Sequence, residues 1–296
     1  MTRQLPIVGD WFAIDLADEH GIRRIVEAHV HDDFGGCMWL IEGSDRCLLV
    51  ETGLGIAPLR EFLETVVSKP ITAFASVGYY DHAGGLHQFD ERLIHEADAH
   101  RISQPTRHNT VAEYYLDAAF DATPNKNFNS AAHVMPASEP TRLLSDGDNI
   151  DLGDRIFEVV HLPGVTDGAS GLFERASGLL FTGEAFVWSD EYIYEGEPAD
   201  RSKDADLKAF RNSIRRLISL PVTTVYRGHY GRSNAETMKA VGVAYLAGWN
   251  SAVQKPYENH AGAVKLMRTR IGLLAHPKSM RSIIDATQRE QRHGLA

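Results

Sequence analysis

Five short apolar runs, each ending in a turn that sets glycine beside histidine, aspartate or glutamate, constrain this chain more than any other feature. Cys47-Leu48-Leu49-Val50 runs into Glu51-Thr52-Gly53, and residues 71–77 (ITAFASV) run into Gly78-Tyr79-Tyr80-Asp81-His82-Ala83-Gly84-Gly85. Residues 156–160 (IFEVV) run into His161-Leu162-Pro163-Gly164, Leu179-Leu180-Phe181 into Thr182-Gly183-Glu184, and residues 223–226 (TTVY) into Arg227-Gly228-His229. Short apolar runs bounded by turn residues read as buried strands. Met38-Trp39-Leu40-Ile41 and the Cys47 run flank Glu42-Gly43-Ser44-Asp45 and read as a hairpin with Cys47 near Leu40. Residues 172–173 and 179–181 form a second hairpin, and 92–95 a further strand. Helical spacing marks 58–68, 110–119, 206–220 and most of the chain from Ala235 onward, with a short helix opening at Gly84-Gly85-Leu86. Strands come first, then strands alternate with helices, twice over. This is an α/β pattern with strand-end loops placed to assemble a site on a rigid scaffold.

Composition narrows the function. The 296 residues are 43% apolar and 24% charged, enough for a packed core and against general disorder. Thirty basic and forty acidic residues give a formal charge of −10, which argues against a nucleic-acid partner. No apolar run approaches the roughly 18 residues of a membrane span, and residues 1–10 lack a charged-then-apolar signal pattern; a cytoplasmic location is expected. The two cysteines, Cys37 and Cys47, are expected as free thiols, and their number excludes a cysteine-based zinc site. The fourteen histidines direct attention to a His/carboxylate metal site.

Taken in order, Glu51-Thr52-Gly53, residues 76–85 (SVGYYDHAGG), His161-Leu162-Pro163-Gly164-Val165-Thr166, Thr182-Gly183-Glu184 and Gly228-His229 resemble the metallo-β-lactamase superfamily. The resemblance spans roughly residues 25–235. It implies a four-layer αββα sandwich with a metal site at one edge. The expected organisation is one such domain over 1–235, with an insertion near 99–140, and a C-terminal helical extension over 236–296 that packs on the domain or forms a homo-oligomer contact.

The departures from the family pattern are specific. The family's His-x-His-x-Asp-His motif has Val77 and Tyr79 in place of its two leading histidines, and Val165 replaces the histidine that completes that first metal site. The resemblance therefore implies that the first site is lost. The second site keeps its residue types: Asp81, His82 and His229, with Glu184 where the family has the bridging aspartate. Two histidines and a carboxylate with an open position suit Zn²⁺, Fe²⁺ or Mn²⁺, zinc first.

A single divalent metal would acidify a bound water, with Asp81 or Glu184 as base and the Tyr79 hydroxyl as donor to a developing oxyanion. Tyr80, Val77, Val165, His31, Trp188 and Tyr192 are the candidates for lining the substrate pocket. The first expectation is a hydrolase acting on an ester-like, lactone or other activated carbon of a small molecule. Two alternatives stay open: a non-haem iron oxidoreductase built on the same ligands, and a metal-free enzyme or binding protein.

Overall fold

The computed structural model describes residues 5–32, 34–115, 119–188, 193 and 207–247. In chain order the first half contains β1 (Phe12–Ile14), β2 (Ile22–Glu27), β3 (Met38–Glu42), β4 (Cys47–Val50), α1 (Leu59–Glu64), β5 (Ile71–Phe74), α2 (Tyr80–Ala83), β6 (Glu91–His95), α3 (Ala99–Ser103) and β7 (Arg142–Leu144). The second half contains β8 (Asn149–Asp151), β9 (Ile156–His161), β10 (Ser170–Glu174), β11 (Leu179–Gly183), α4 (Leu207–Ser219), β12 (Thr224–Arg227), β13 (Arg232–Asn234) and α5 (Ala235–Leu246). Seven strands form one sheet in the order β1-β2-β3-β4-β5-β6-β7, and six form the other in the order β13-β12-β11-β10-β9-β8.

The continuous apolar runs have a direct cause: the central strands are buried on both faces. In β4, Leu48 and Val50 point into the core between the sheets, where they join Phe157, Leu172 and Phe181 of the second sheet. Cys47 and Leu49 point the other way, toward Leu59 and Leu63 of α1. In the second sheet Leu179 and Phe181 face inward and Leu180 faces outward. Tyr226 closes the inter-sheet layer, its ring stacked 4.6 Å from Phe181 and edge-on at 5.0 Å to Trp39. Each fully buried Leu, Val or Phe side chain contributes about 1.5–3 kcal/mol. Phe210, Ile214 and Leu217 recur at helical spacing and seat α4 on the outer face. Gly242 of α5 lets that helix approach α4, since a Cβ there would meet Ile218 at 2.7 Å. The arrangement is the expected αββα sandwich.

Three expectations are corrected. Cys47 pairs with Glu42, and Leu40 with Leu49, so the hairpin is tighter than expected; both cysteines are buried and free. The described residues of the 110–119 span, 110–115 and 119, do not form the expected helix. Val111 takes a left-handed conformation at φ 54° and only a short 3-10 turn, Ala112–Tyr114, follows. The Arg107 guanidinium bonds the carbonyls of Ala112, Ser130 and His133 and folds the insertion onto itself. The strand expected over 71–77 ends at Phe74, which releases residues 75–79 to carry the loop before Asp81. Of the C-terminal extension, α5 is described; residues 248–296 lie outside the described residues. Among the described residues no helix is long and apolar enough to cross a membrane.

Candidate metal centre

Asp81, His82, Glu184 and His229 come together at one edge of the sandwich, each delivered by the end of a strand. Asp81 and His82 sit on the single turn of α2, after the loop that follows β5. The His82 carbonyl accepts from both the backbone N–H and the hydroxyl of Thr52, which ties this turn to the end of β4. Glu184 follows β11 directly, and its N–H donates to the Ser76 hydroxyl at 3.0 Å. Gly183 makes this possible: its φ is +50°, and a Cβ there would fall 2.2 Å from Ser76. His229 follows β12. Gly228 lies against Gly183 backbone to backbone, its N–H donating to the Gly183 carbonyl at 3.2 Å.

The four side chains converge on a common point. The Nε2 atoms of His82 and His229 lie 3.3 and 3.1 Å from Asp81 Oδ2. The same two nitrogens lie 3.1 and 3.3 Å from Glu184 Oε2. Among the described residues, Asp81, His82 and His229 form the one group of three such side chains whose donor atoms lie within 4.8 Å of one another. All are buried, yet both His82 ring nitrogens and Glu184 Oε2 lack a hydrogen bond of acceptable geometry. Buried polar atoms normally find a partner. Imidazole nitrogens and carboxylate oxygens that crowd together without pairing fit a shared divalent cation.

The electrostatics agree with that fit. Burial opposes charge on the imidazoles, but Asp81, Glu51 and Glu184 hold His82 well above the ordinary histidine range. Asp81 and Glu184, both close to the ring, likewise outweigh burial and raise His229 to about 9. Burial also opposes ionisation of Asp81 and Glu184, and the two imidazoles overcome it and hold both carboxyls below their ordinary values. A cation would replace the imidazole protons, so its binding releases them.

The remaining candidates divide. Val77, Tyr79 and Val165 are buried side by side, and the Tyr79 hydroxyl donates to the Val165 carbonyl at 3.3 Å. Beneath them the buried Asp98 accepts from the N–H groups of Gly78 and Gly168 and from the Thr166 hydroxyl, which locks the two loops together. Tyr80 is buried with its ring against Tyr115 and His133, and its hydroxyl has no hydrogen-bond partner. His31 is exposed. Trp188 is buried under the Arg227 guanidinium, 4.9 Å from its ring centroid. Tyr192 lies outside the described residues.

Three residues of the site carried no assigned role in the sequence. Glu51, just past β4, places Oε1 3.4 Å from Nδ1 of His82 and accepts the Ser76 N–H at 3.1 Å through Oε2. Its position beside Gly53 at a strand end was a usable signal. Arg227 donates to the carbonyls of Trp188, Tyr230 and Gly231 and so joins the loop after Glu184 to the loop around His229. Tyr115, from the insertion, faces Asp81 and Glu184; burial first, then those two charges, raise its phenol well above the ordinary range and keep it protonated. No local pattern marks Tyr115.

Comparison with known proteins gives the same picture. The model of the metallo-beta-lactamase superfamily matches residues 31–229. The human protein "Acyl-coenzyme A thioesterase MBLAC2" is 28% identical over 254 residues, covering 80% of this chain and 88% of its own. A "Hydroxyacylglutathione hydrolase" of Vibrio cholerae is 27% identical over 212 residues, covering 69% of this chain and 66% of its own. Among solved structures, the superfamily protein ST1585 from Sulfolobus tokodaii superposes with a TM-score of 0.57 at 14% identity, covering 90% of this chain and all of that one. A metallo-beta-lactamase family protein, TTHA1429 from Thermus thermophilus, gives 0.53 at 22% identity, covering 75% of this chain and 79% of that one. With the family model spanning β3 to β12 and every strand end of the buried cluster, this chain belongs to the metallo-β-lactamase superfamily.

Proposed function

We propose that this chain is a metal-dependent hydrolase that uses one divalent ion to cleave an activated acyl bond, a thioester foremost. The observation that carries the reading is the convergence of two imidazole nitrogens and two carboxylate oxygens at buried strand ends, each nitrogen lying 3.1–3.3 Å from both oxygens. A divalent ion bound there acidifies a water and polarises an acyl oxygen. Asp81, His82, Glu184 and His229 would hold the ion, and Asp81 or Glu184 would take the proton of the attacking water. Hydrolysis is supported by the named relatives, an acyl-coenzyme A thioesterase and a hydroxyacylglutathione hydrolase, whose names both describe an acyl group carried on a thiol.

A single ion is supported by the residues at the other subsite. Valine has no donor atom, and the Tyr79 hydroxyl is engaged with the Val165 carbonyl. Zinc is favoured, and iron or manganese suits the same nitrogen and oxygen donors. The two buried free cysteines fit a reducing, cytoplasmic setting.

The test is metal content by elemental mass spectrometry on untagged protein, alongside release of free thiol from short acyl-coenzyme A and acyl-glutathione thioesters. About one ion per chain, with both metal and turnover lost in Asp81→Ala and His229→Ala, is the expected result. Two ions per chain would refute the single-ion part. Full turnover after complete chelation would refute the metal-dependent reading. Oxygen consumption by an iron-loaded protein without thioester cleavage would favour an oxidoreductase.

A further inference from the structure

We propose that Asp98 is a positioning residue: its buried carboxylate fastens the loop 75–79 to the loop 162–169 and so sets the turn that carries Asp81 and His82 before an ion arrives. The inference rests on the single-ion reading and goes beyond it, because Asp98 lies on none of the strand ends that build the cluster. The loop 75–79 runs from β5 into α2, and its Gly78 stands shortly before Asp81. The single turn of α2 gives its side chains little support by itself. At the neighbouring subsite Val77 and Val165 offer no donor atom through which an ion could join the two loops.

Asp98 ends a short 3-10 turn, Glu96–Asp98, and stands immediately before α3. An aspartate in that place ordinarily accepts from the first N–H groups of its own helix. Asp98 makes no such bond. Its Oδ2 accepts instead from the Gly78 N–H at 2.9 Å and the Thr166 hydroxyl at 2.8 Å, and its Oδ1 from the Gly168 N–H at 3.1 Å. Both amide donors are glycines, and the close approach requires it. A Cβ at Gly168 would meet Asp98 Cγ at 2.8 Å, and one at Gly78 would meet Arg101 Cβ at 2.4 Å. Arg101, on α3, is buried with its Nε 3.6 Å from Asp98 Oδ1, which offsets the buried charge. Its guanidinium lies 5.5 Å from the centre of the Tyr79 ring and donates to the Asn109 carbonyl. The next carbonyl, of Thr110, accepts from the Tyr80 N–H at 2.9 Å. Gly78, Tyr79 and Tyr80, the residues that lead into Asp81, are thus each held from this side. Without the tie, the arrangement that presents Asp81 and His82 to Glu184 and His229 would be one of several, and the apparent affinity for an ion falls by the fraction of chains that hold it.

Asp98→Asn tests this. Asparagine keeps the shape, but its one oxygen can accept from only one of the two glycine N–H groups. Two quantities are read: amide hydrogen exchange of the apo-protein, resolved by peptide, and Zn²⁺ affinity by competition with a chromophoric chelator. The expected result is faster exchange confined to residues 75–83 and 162–169, with Zn²⁺ affinity lower by about tenfold. Saturating Zn²⁺ should return the exchange of residues 75–83 toward wild type. Unchanged affinity would overturn the inference, whatever the exchange. So would a rise in exchange across both sheets, since Asp98 would then act on the fold as a whole. Thr166→Val removes one of the three donors and leaves the carboxylate, and it decides the matter if Asp98→Asn does not fold. A smaller loss of affinity with exchange raised in the same two loops is expected of it, and wild-type values would overturn the inference. The two readings fail separately: Zn²⁺ bound equally tightly by wild type and Asp98→Asn removes the role of Asp98 and leaves the metal site standing. No Zn²⁺ binding by the wild type removes both.

Discussion

Nδ1 of His82 lies 3.4 Å from Oε1 of Glu51, and Glu51 itself is held at φ +67° where β4 ends. A left-handed backbone at a non-glycine residue is strained by about 1–3 kcal/mol and persists only where surrounding contacts enforce it. Here those contacts are the Ser76 N–H on Oε2 and the His82 ring at Oε1. The arrangement orients the imidazole so that Nε2 faces Asp81 and Glu184.

Glu51→Gln is therefore expected to weaken metal binding by about 10–100-fold. Glutamine keeps an acceptor for the Ser76 N–H but removes the negative charge that lies 3.4 Å from His82 Nδ1. A competition titration that returned wild-type affinity would remove Glu51 from the site.

Arg227→Lys is expected to destabilise the fold by about 1–3 kcal/mol. A lysine amine cannot reproduce the planar fork that serves the carbonyls of Trp188, Tyr230 and Gly231 together. Because these carbonyls flank Glu184 and His229 in the chain, metal affinity should fall with stability. Urea unfolding and metal titration check the two effects, and a shift in neither would contradict the clamp.

Gly183→Ala is expected to reduce turnover sharply at unchanged expression. The added methyl would fall 2.2 Å from Ser76, and the φ of +50° disfavours any side chain. Relief requires the Glu184 loop to move, which displaces a candidate ligand. Wild-type kcat/KM and metal content in this variant would show that the loop position is not critical.

Glu27 gives a pH signature. Its carboxyl is buried, accepts from Trp11 Nε1 at 2.9 Å and from the Leu54 N–H at 3.0 Å, and burial pushes it up to about 7. The folded chain then binds more protons than the unfolded chain between the ordinary glutamate value and about 7. Stability should fall as pH rises through that window, by about 3 kcal/mol. Glu27→Gln should flatten this part of the profile. Urea midpoints at pH 5 and pH 8, compared between wild type and variant, measure it; parallel profiles would contradict the assignment.

The legible parts of this protein were those written locally. Central strands such as β4 are buried on both faces and so appear as unbroken apolar runs, and Asp81, His82, Glu184 and His229 each stand beside glycine at the end of such a run. Edge strands β1, β7 and β13 are three residues long, too short for any periodicity to show. Residues 110–119 have helical composition, but the turn at Val111 and the carbonyls gathered by Arg107 override propensity. Tyr115 was invisible for a related reason: its meaning lies in its contact with Tyr80, which is distant in the chain. Glu51 was visible as a motif residue but its reach to His82 depends on the packing of β4 against β5.

The cluster also has a consequence for biogenesis. In each sheet a parallel pair sets two strand ends side by side, β4 with β5 in the first and β11 with β12 in the second. Parallel pairing requires a crossover and is slow to form. Asp81 and His82 emerge early in synthesis, but the point they share with Glu184 and His229 exists only after β12 has docked beside β11. A nascent or half-folded chain therefore presents no complete nest for a cation. Acquisition of an ion at this site would then be a late checkpoint, open to chains that have already joined their two halves.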